Sequence, residues 1–328
     1  MVSRRVAPAG RQRGAAILAA MLTVTLVATF AAASMWQQFR SVEVEAAERT
    51  RVQSAWILTG ALDWSRLILR EDGRGAGAQV DHLAEPWAVP LEEARLSTFL
   101  AADKSGVAQV GDDTGNAFLS GQIVDMQARL NVISLLEDGQ ISNTGLRSFR
   151  RLFELLGLPP GQADLMAEAL RGAAAAGAGA QALLPQTVEQ LVWLGLPAAT
   201  LAALQPYIAV LPQPTRVNLN TASAEVISAA VNGMSLADAQ RLVTARASAH
   251  FRSPDDAVRL LPSHAQSLRE GTVDVKSSYF EVHGRLRLED RVVEERSLLL
   301  RIGTTVTTQQ RQRGVAGSSG LPPTAALR

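Results

Sequence analysis

One peptide bond in this chain is placed for chemistry. Arg11, Gln12, Arg13 and Gly14 precede Ala15, and from Ala15 to Met35 there is no charge, glycine or proline. A basic segment ending in a small residue at the edge of an apolar run suits a cut between Gly14 and Ala15. That cut would free a new α-amine on Ala15. Two other readings fit the same run: an uncleaved anchor, and a secretory signal cut near Ala31-Ala32-Ala33. In each case about 20 apolar residues are enough to cross a bilayer as a helix. Arg4, Arg5, Arg11 and Arg13 then hold the N-terminus on the cytoplasmic side.

Other chemistries find few residues to carry them. Cysteine is absent, which removes zinc–thiolate, iron–sulfur, disulfide and cysteine-nucleophile chemistry. The four histidines, His82, His250, His264 and His283, include no pair at the i, i+4 spacing of a helical metal site. No catalytic residue is assigned and no enzyme is expected. Asp125, Arg129 and Asn131 read as polar residues on an open strand face or in a turn network. Asp255 and Asp256 read as helix caps. The net charge of +1, from 32 basic and 31 acidic residues, gives no sign of a polyanionic partner.

The elements that would position the junction form a long helix. Between Ala15 and Thr59 there is no breaker, which is roughly 65 Å of helix at ~1.5 Å per residue. Its first half is lipid-soluble and its second half amphipathic, with Trp56, Trp64, Leu67 and Ile68 as expected core contacts. EDGRGAGAQ (71–79) ends it, and Pro86 and Pro90 bracket Trp87 in an extended or turn segment. SGQIVDMQARLNVISLL predicts a strand with partial alternation.

From about Glu137 to Pro262 the pattern is helical. TRVNLNTASAEV, the turn Asn232-Gly233-Met234-Ser235 and the following helices resemble a helix-hairpin-helix motif. Asn218, Asn220 and Thr221 are expected to cap its first helix. The hairpin has one glycine where DNA-binding versions carry Gly-x-Gly. Arg241, Arg246, Arg252, Arg259 and Arg269 are offset by Glu225, Asp238, Asp255, Asp256 and Glu270. Nucleic acid is therefore an unlikely partner. YFEVHGRLRL then alternates strictly, with Phe280, Val282, Leu286 and Leu288 on one face and a solvated His283 on the other. It pairs with VVEERSLLLRI as a β-hairpin, and a polar tail from Gly303 reads as disordered.

Taken in order, the RQRG-AAILAAML junction, EPWAVPL, IVDMQARLNVISL, TRVNLNTASAEVI and SSYFEVHGRLRLEDRVVEERSLLL resemble the minor pseudopilin K family of the type II secretion system. The resemblance covers about residues 11–302. It implies an α+β, pilin-like fold: a long N-terminal helix packed on a small antiparallel sheet, with a large all-α domain inserted between strands. The implied divisions are a prepilin leader (1–14), a transmembrane part of the helix (15–35), a first pilin-like part (36–134), the inserted helical domain (135–270), a closing hairpin (271–302) and the tail (303–328).

The resemblance further implies cleavage between Gly14 and Ala15 by a prepilin peptidase, N-methylation of Ala15, and a leader held by Arg11 and Arg13. The implied partners are the minor pseudopilins I and J, the major pseudopilin and the inner membrane, with the C-terminal domain in the periplasm. Most pilin-like proteins carry Glu at the fifth position after the cut; here it is Ala19, which suits a tip subunit. Some family members bind calcium in an acidic loop. The corresponding LMAEALRGAAAAGAGA has lost nearly all its carboxylates, so no cofactor and no calcium site of that kind is expected. The alternatives are a membrane-anchored periplasmic helix-hairpin-helix DNA-binding protein and a type IV pilus minor pilin.

Overall fold

The computed structural model describes residues 13–75, 80–97, 117–175, 183–288 and 291–315. Helix α1 runs from Arg13 to Asp72 without interruption. Residues 13–56 form one compact unit and the described residues from Ile57 onward another. In the first unit the large apolar side chains of the run, among them Leu18, Leu22 and Phe30, are exposed. The hydroxyls of Thr23, Thr25 and Thr29 donate to carbonyls one turn back in the helix. Each threonine thus satisfies its own polar group within an apolar surface.

In the second unit α1 is amphipathic for a different reason than the aromatic residues suggested. Leu58, Leu62, Ser65 and Leu69, spaced 4-3-4, are buried, the period of one helix face. Trp56, Trp64 and Leu67 are exposed, and only Ile68 of the expected contacts packs on the core. That face meets a five-stranded antiparallel sheet of β1 (Leu91–Arg95), β2 (Ala117–Asp125), β3 (Tyr279–Leu288), β4 (Arg291–Ile302) and β5 (Thr305–Val315), in sequential order across the sheet. Leu62 and Leu69 share a cluster with Trp87, Phe280, Val282 and Leu299, while Leu58 packs with Leu119, Leu286 and Leu288. The Trp87 ring meets Phe280 edge-on at 5.2 Å.

β3 and β4 form the expected hairpin, paired from Arg291↔Leu288 to Leu300↔Tyr279. The tail is not wholly irregular: Thr305–Val315 pairs along β4 as β5. Among the described side chains of this strand only Val306 is buried, so it lacks the alternation that announces a strand. It is held instead by Arg311 and Arg313, which both donate to the buried Glu295 of β4. Residues 316–328 lie outside the described residues.

Between β2 and β3 the chain builds a helical module of α2 (Asn143–Leu155), α3 (Gly161–Ala175), α4 (Ala198–Leu204), α5 (Ala224–Ala230), α6 (Leu236–Ser248), α7 (Pro254–Leu260) and α8 (Ala265–Arg269). Phe149, Leu152 and Phe153 of α2, Met166 and Leu170 of α3, and Ile227 and Leu242 of the hairpin helices share one core. The strand expected through IVDMQARLNVISLL stops at Asp125 and gives way to 3-10 turns at Met126–Ala128 and Val132–Leu135. Asp125 and Asn131 accept from the backbone N–H two residues on, which turns the chain out of the sheet.

α2 lies so close to the second turn that a Cβ on Gly145 would sit 2.1 Å from the Ser134 carbonyl oxygen. Both partners are backbone, so neither can step aside locally. Gly145→Ala should therefore lower stability by about 2–3 kcal/mol. Thermal unfolding of the detergent-purified chain checks this, and an unchanged midpoint would contradict so tight a contact.

Candidate functional site

Two features carry the functional reading: the N-terminal end of α1 and the polar junction that holds the helical module to the sheet. At the first, α1 begins at Arg13, so the Gly14–Ala15 bond lies in its first turn. Ala19 is exposed one turn further on, and a Cβ on Gly14 would meet nothing within 4 Å. Arg11 and the Arg13 side chain lie outside the described residues.

The second centres on Asp125, which is 3 % exposed at the end of β2. Its carboxylate accepts from Gln127 N–H (2.8 Å), Asn218 Nδ2 (3.1 Å), Thr221 Oγ1 (2.6 Å) and Ser277 Oγ (2.7 Å). Burial raises its pKa and these donors oppose the rise. Asn218 also donates to the Asp81 carbonyl, and Ser277 N–H to the Asp81 carboxylate. The buried Arg301 of β4 donates to both Asp81 and Asp72 and lies over the Phe280 ring at 4.7 Å. One network thus joins the end of α1, the 81–87 segment, β2, the module and β4.

The NLNT segment does not cap α5 as expected; Ser223 does. Asn218 and Thr221 are spent on Asp125. Asn220 instead forms a two-way pair with the backbone of Phe251, donating to its carbonyl and accepting its N–H. His283 is not solvated: it is paired with Glu281 on the sheet. Asp125, Arg129 and Asn131 do not share a site. Asn131 receives Leu211 N–H and donates to the Gln213 carbonyl, closing a turn network inside the module.

Asp72, Asp81 and Glu85 bring carboxylate oxygens within 4.8 Å of one another. The Arg301 guanidinium already supplies positive charge to two of them. Glu85 accepts from Trp87 Nε1 (2.6 Å) and His82 N–H (2.9 Å), and burial pushes its pKa up to about 7. Asp81 is raised to about 6, again mainly by burial. The His82 ring stacks on His250 of the module at 3.8 Å, and burial, then His250, pulls its pKa down. In the stretch named for calcium, Glu168 is the described carboxylate, and it pairs with Arg171.

Four of the five arginines named in the hairpin motif are engaged among the described residues, and Arg252 is exposed. Arg241 pairs with Asp238, Arg259 with Asp256 and Arg269 with Asp255. Arg246 turns inward to the Leu219 carbonyl at 2.5 Å. Asp256 closes a capping box with Ser253, as expected of a helix-capping acid. Gly233, at φ +72°, makes the single-glycine hairpin turn.

Two family models described as type II secretion system (T2SS), protein K, match residues 128–213 and 217–276, the module and its links to the sheet. Both matches are to type II secretion system protein K, and curated relatives extend the similarity over most of the chain. The protein K of Pseudomonas aeruginosa is 27% identical over 305 residues, covering 85% of this chain and 86% of that one. The protein K of Pectobacterium carotovorum subsp. carotovorum is 26% identical over 337 residues, covering 93% and 97%. The fold matches a chain in the crystal structure of the GspK-GspI-GspJ complex from enterotoxigenic Escherichia coli, with TM-score 0.63 at 17% identity over 82% of this chain and 98% of that one. The protein K match at 217–276 includes Asn218 and Thr221, two of the four donors to Asp125.

The junction predicts a pH dependence. Glu85 has a folded pKa near 7, above its usual 4.5, so the folded state holds that proton more tightly than the unfolded chain. The stability it contributes is complete below about pH 4.5 and is lost as pH rises through 7, and Asp81 acts in the same direction through 6. Glu85→Gln keeps an acceptor for Trp87 and removes the ionisation. It should gain on the order of 2 kcal/mol at pH 8 and flatten the fall in melting temperature between pH 5 and 8. A variant whose profile tracks wild type would refute this assignment. Asn218→Ala, which withdraws one donor from buried Asp125, should lose about 2–3 kcal/mol by the same measurement.

Proposed function

We propose that this chain, a minor pseudopilin of type II secretion, starts and caps the periplasmic pseudopilus together with the minor pseudopilins I and J. The observation that carries the tip position is Ala19. An acid buried at that depth needs a partner inside the membrane, and in pilin-like assembly the partner is the neighbour's new N-terminal amine. A subunit with Ala19 has nothing to offer a subunit ahead of it, yet its own Ala15 amine can pair with the acid of one behind. Such a subunit belongs first in line, with the major pseudopilin added after it.

The apolar run supports an anchor. α1 is long enough to cross a membrane, with mean hydropathy 2.2 over a window that buries nothing within the molecule. Such a surface needs lipid or neighbouring helices. In this reading the chain crosses the bacterial inner membrane once and the second unit stands in the periplasm. Arg11 and Arg13 hold the leader in the cytoplasm, and prepilin peptidase cuts Gly14–Ala15 and methylates Ala15. The protein acts by assembly rather than by catalysis. Its helical module, with the arginines of the hairpin neutralised by neighbouring acids, serves as a protein-facing cap rather than a grip on nucleic acid.

The mass of the N-terminal peptide from membrane-extracted protein tests the proposal. The expected start is N-methylated Ala15. A start at Met1 or near Ser34 would refute processing at Gly14 and with it the tip argument from Ala19.

A further inference from the structure

A cleft lies between the helical module and the face of the sheet that α1 does not cover. Arg129, just past the turn that leaves β2, forms part of its wall, with Glu281 of β3, Arg296 of β4, and Glu189 of the module. Arg129 is partly buried, yet its guanidinium makes no hydrogen bond or ion pair among the described residues. Five N–H donors in a rigid fork are rarely left idle away from bulk water. No neighbouring charge bonds to it: Glu281 acts on it only through space and is hydrogen-bonded to His283, and Glu189 reaches Arg296, at 3.8 Å. Burial lowers the Arg129 pKa, with Arg296 adding to the fall and Glu281 opposing it.

Four glutamines of the lining are also unspent. The side-chain amides of Gln186, Gln205, Gln310 and Gln312 border the cleft, and none has a hydrogen-bond partner among the described residues. Each offers both a donor and an acceptor, the pair that an extended backbone presents in return. Glu189 and Glu281 beside the two arginines oppose a dianion more strongly than a single carboxylate. The Arg fork matches a carboxylate in two-point geometry.

We propose that this cleft is a docking site for an extended acidic segment of another protein, whose carboxylate is taken by Arg129 with Arg296 beside it. The glutamine amides hold the backbone on either side. This site faces away from α1, so it is independent of the tip argument and stands or falls separately from processing at Gly14.

Fluorescence anisotropy with the full chain in detergent micelles tests the site. The probes are a labelled Gly-Ser-Gln-Asp-Gln-Ser-Gly peptide, with a single acidic side chain, and its all-Gln/Asn counterpart, with inorganic phosphate as competitor. The acidic peptide should bind below about 1 mM and weaken with salt. Arg129→Gln should weaken it about tenfold or more, and Arg296→Gln several-fold, without a lower melting temperature. Absence of binding up to about 1 mM, equal binding of the Gln/Asn peptide, or undiminished binding by Arg129→Gln would each overturn the proposal. Competition by phosphate at the peptide's own concentration would replace the acidic segment with a free anion. If Arg129→Gln unfolds the chain, Arg296→Gln decides the matter alone: unchanged affinity there also overturns it.

Discussion

The structure depends on a carboxylate withdrawn from water. Asp125 sits where the sheet ends and the module begins, and its four donors come from three short segments far apart in sequence, at 127, 218–221 and 277. A buried carboxylate without such donors is strongly unfavourable, so the fold that satisfies it must bring Gln127, Asn218, Thr221 and Ser277 together. Asn218 and Ser277 pass the constraint to Asp81, and Arg301 passes it on to Asp72 at the end of α1. The apolar clusters on either side supply most of the driving force for folding. They are not directional, and the polar network fixes how sheet and module meet.

Much of this was legible in the sequence wherever periodicity or capping chemistry was strong. The uninterrupted α1, the alternating β3 with its hairpin partner β4, and the helices between Asn143 and Arg269 follow from pattern alone. The failures share a cause: the deciding contact is distant in sequence. β5 is polar on both faces and exists because Glu295 gathers Arg311 and Arg313. Leu58, Leu62, Ser65 and Leu69 carry the buried face at 4-3-4 spacing, a quieter signal than the larger tryptophans beside them. NLNT looked like a helix cap because nothing nearby announces that Asp125, about ninety residues earlier, claims two of its side chains.

The charges of the module show the same division between composition and placement. Near-neutrality argued against a polyanion partner, and the structure pairs arginines and acids one by one across the hairpin. Composition could not show that one guanidinium, Arg129, would be left at the wall of a cleft. Nor could it show that Glu85 and Asp81 would be carried into surroundings that hold protons near neutrality.

The placement of the module has a consequence for the order of folding. β2 and β3 are adjacent antiparallel strands whose last pair is Asp125↔Phe280, so the whole helical module is, topologically, the loop of one hairpin. Closing so long a loop as free chain costs about 4 kcal/mol in entropy, and the few neck contacts cannot return that in advance. β3, β4 and β5 form a meander of neighbours and can zip locally. β2 pairs with β3 only across the long connection that the folded module spans. The segments matched by the family models thus lie inside the loop whose two ends the sheet holds together.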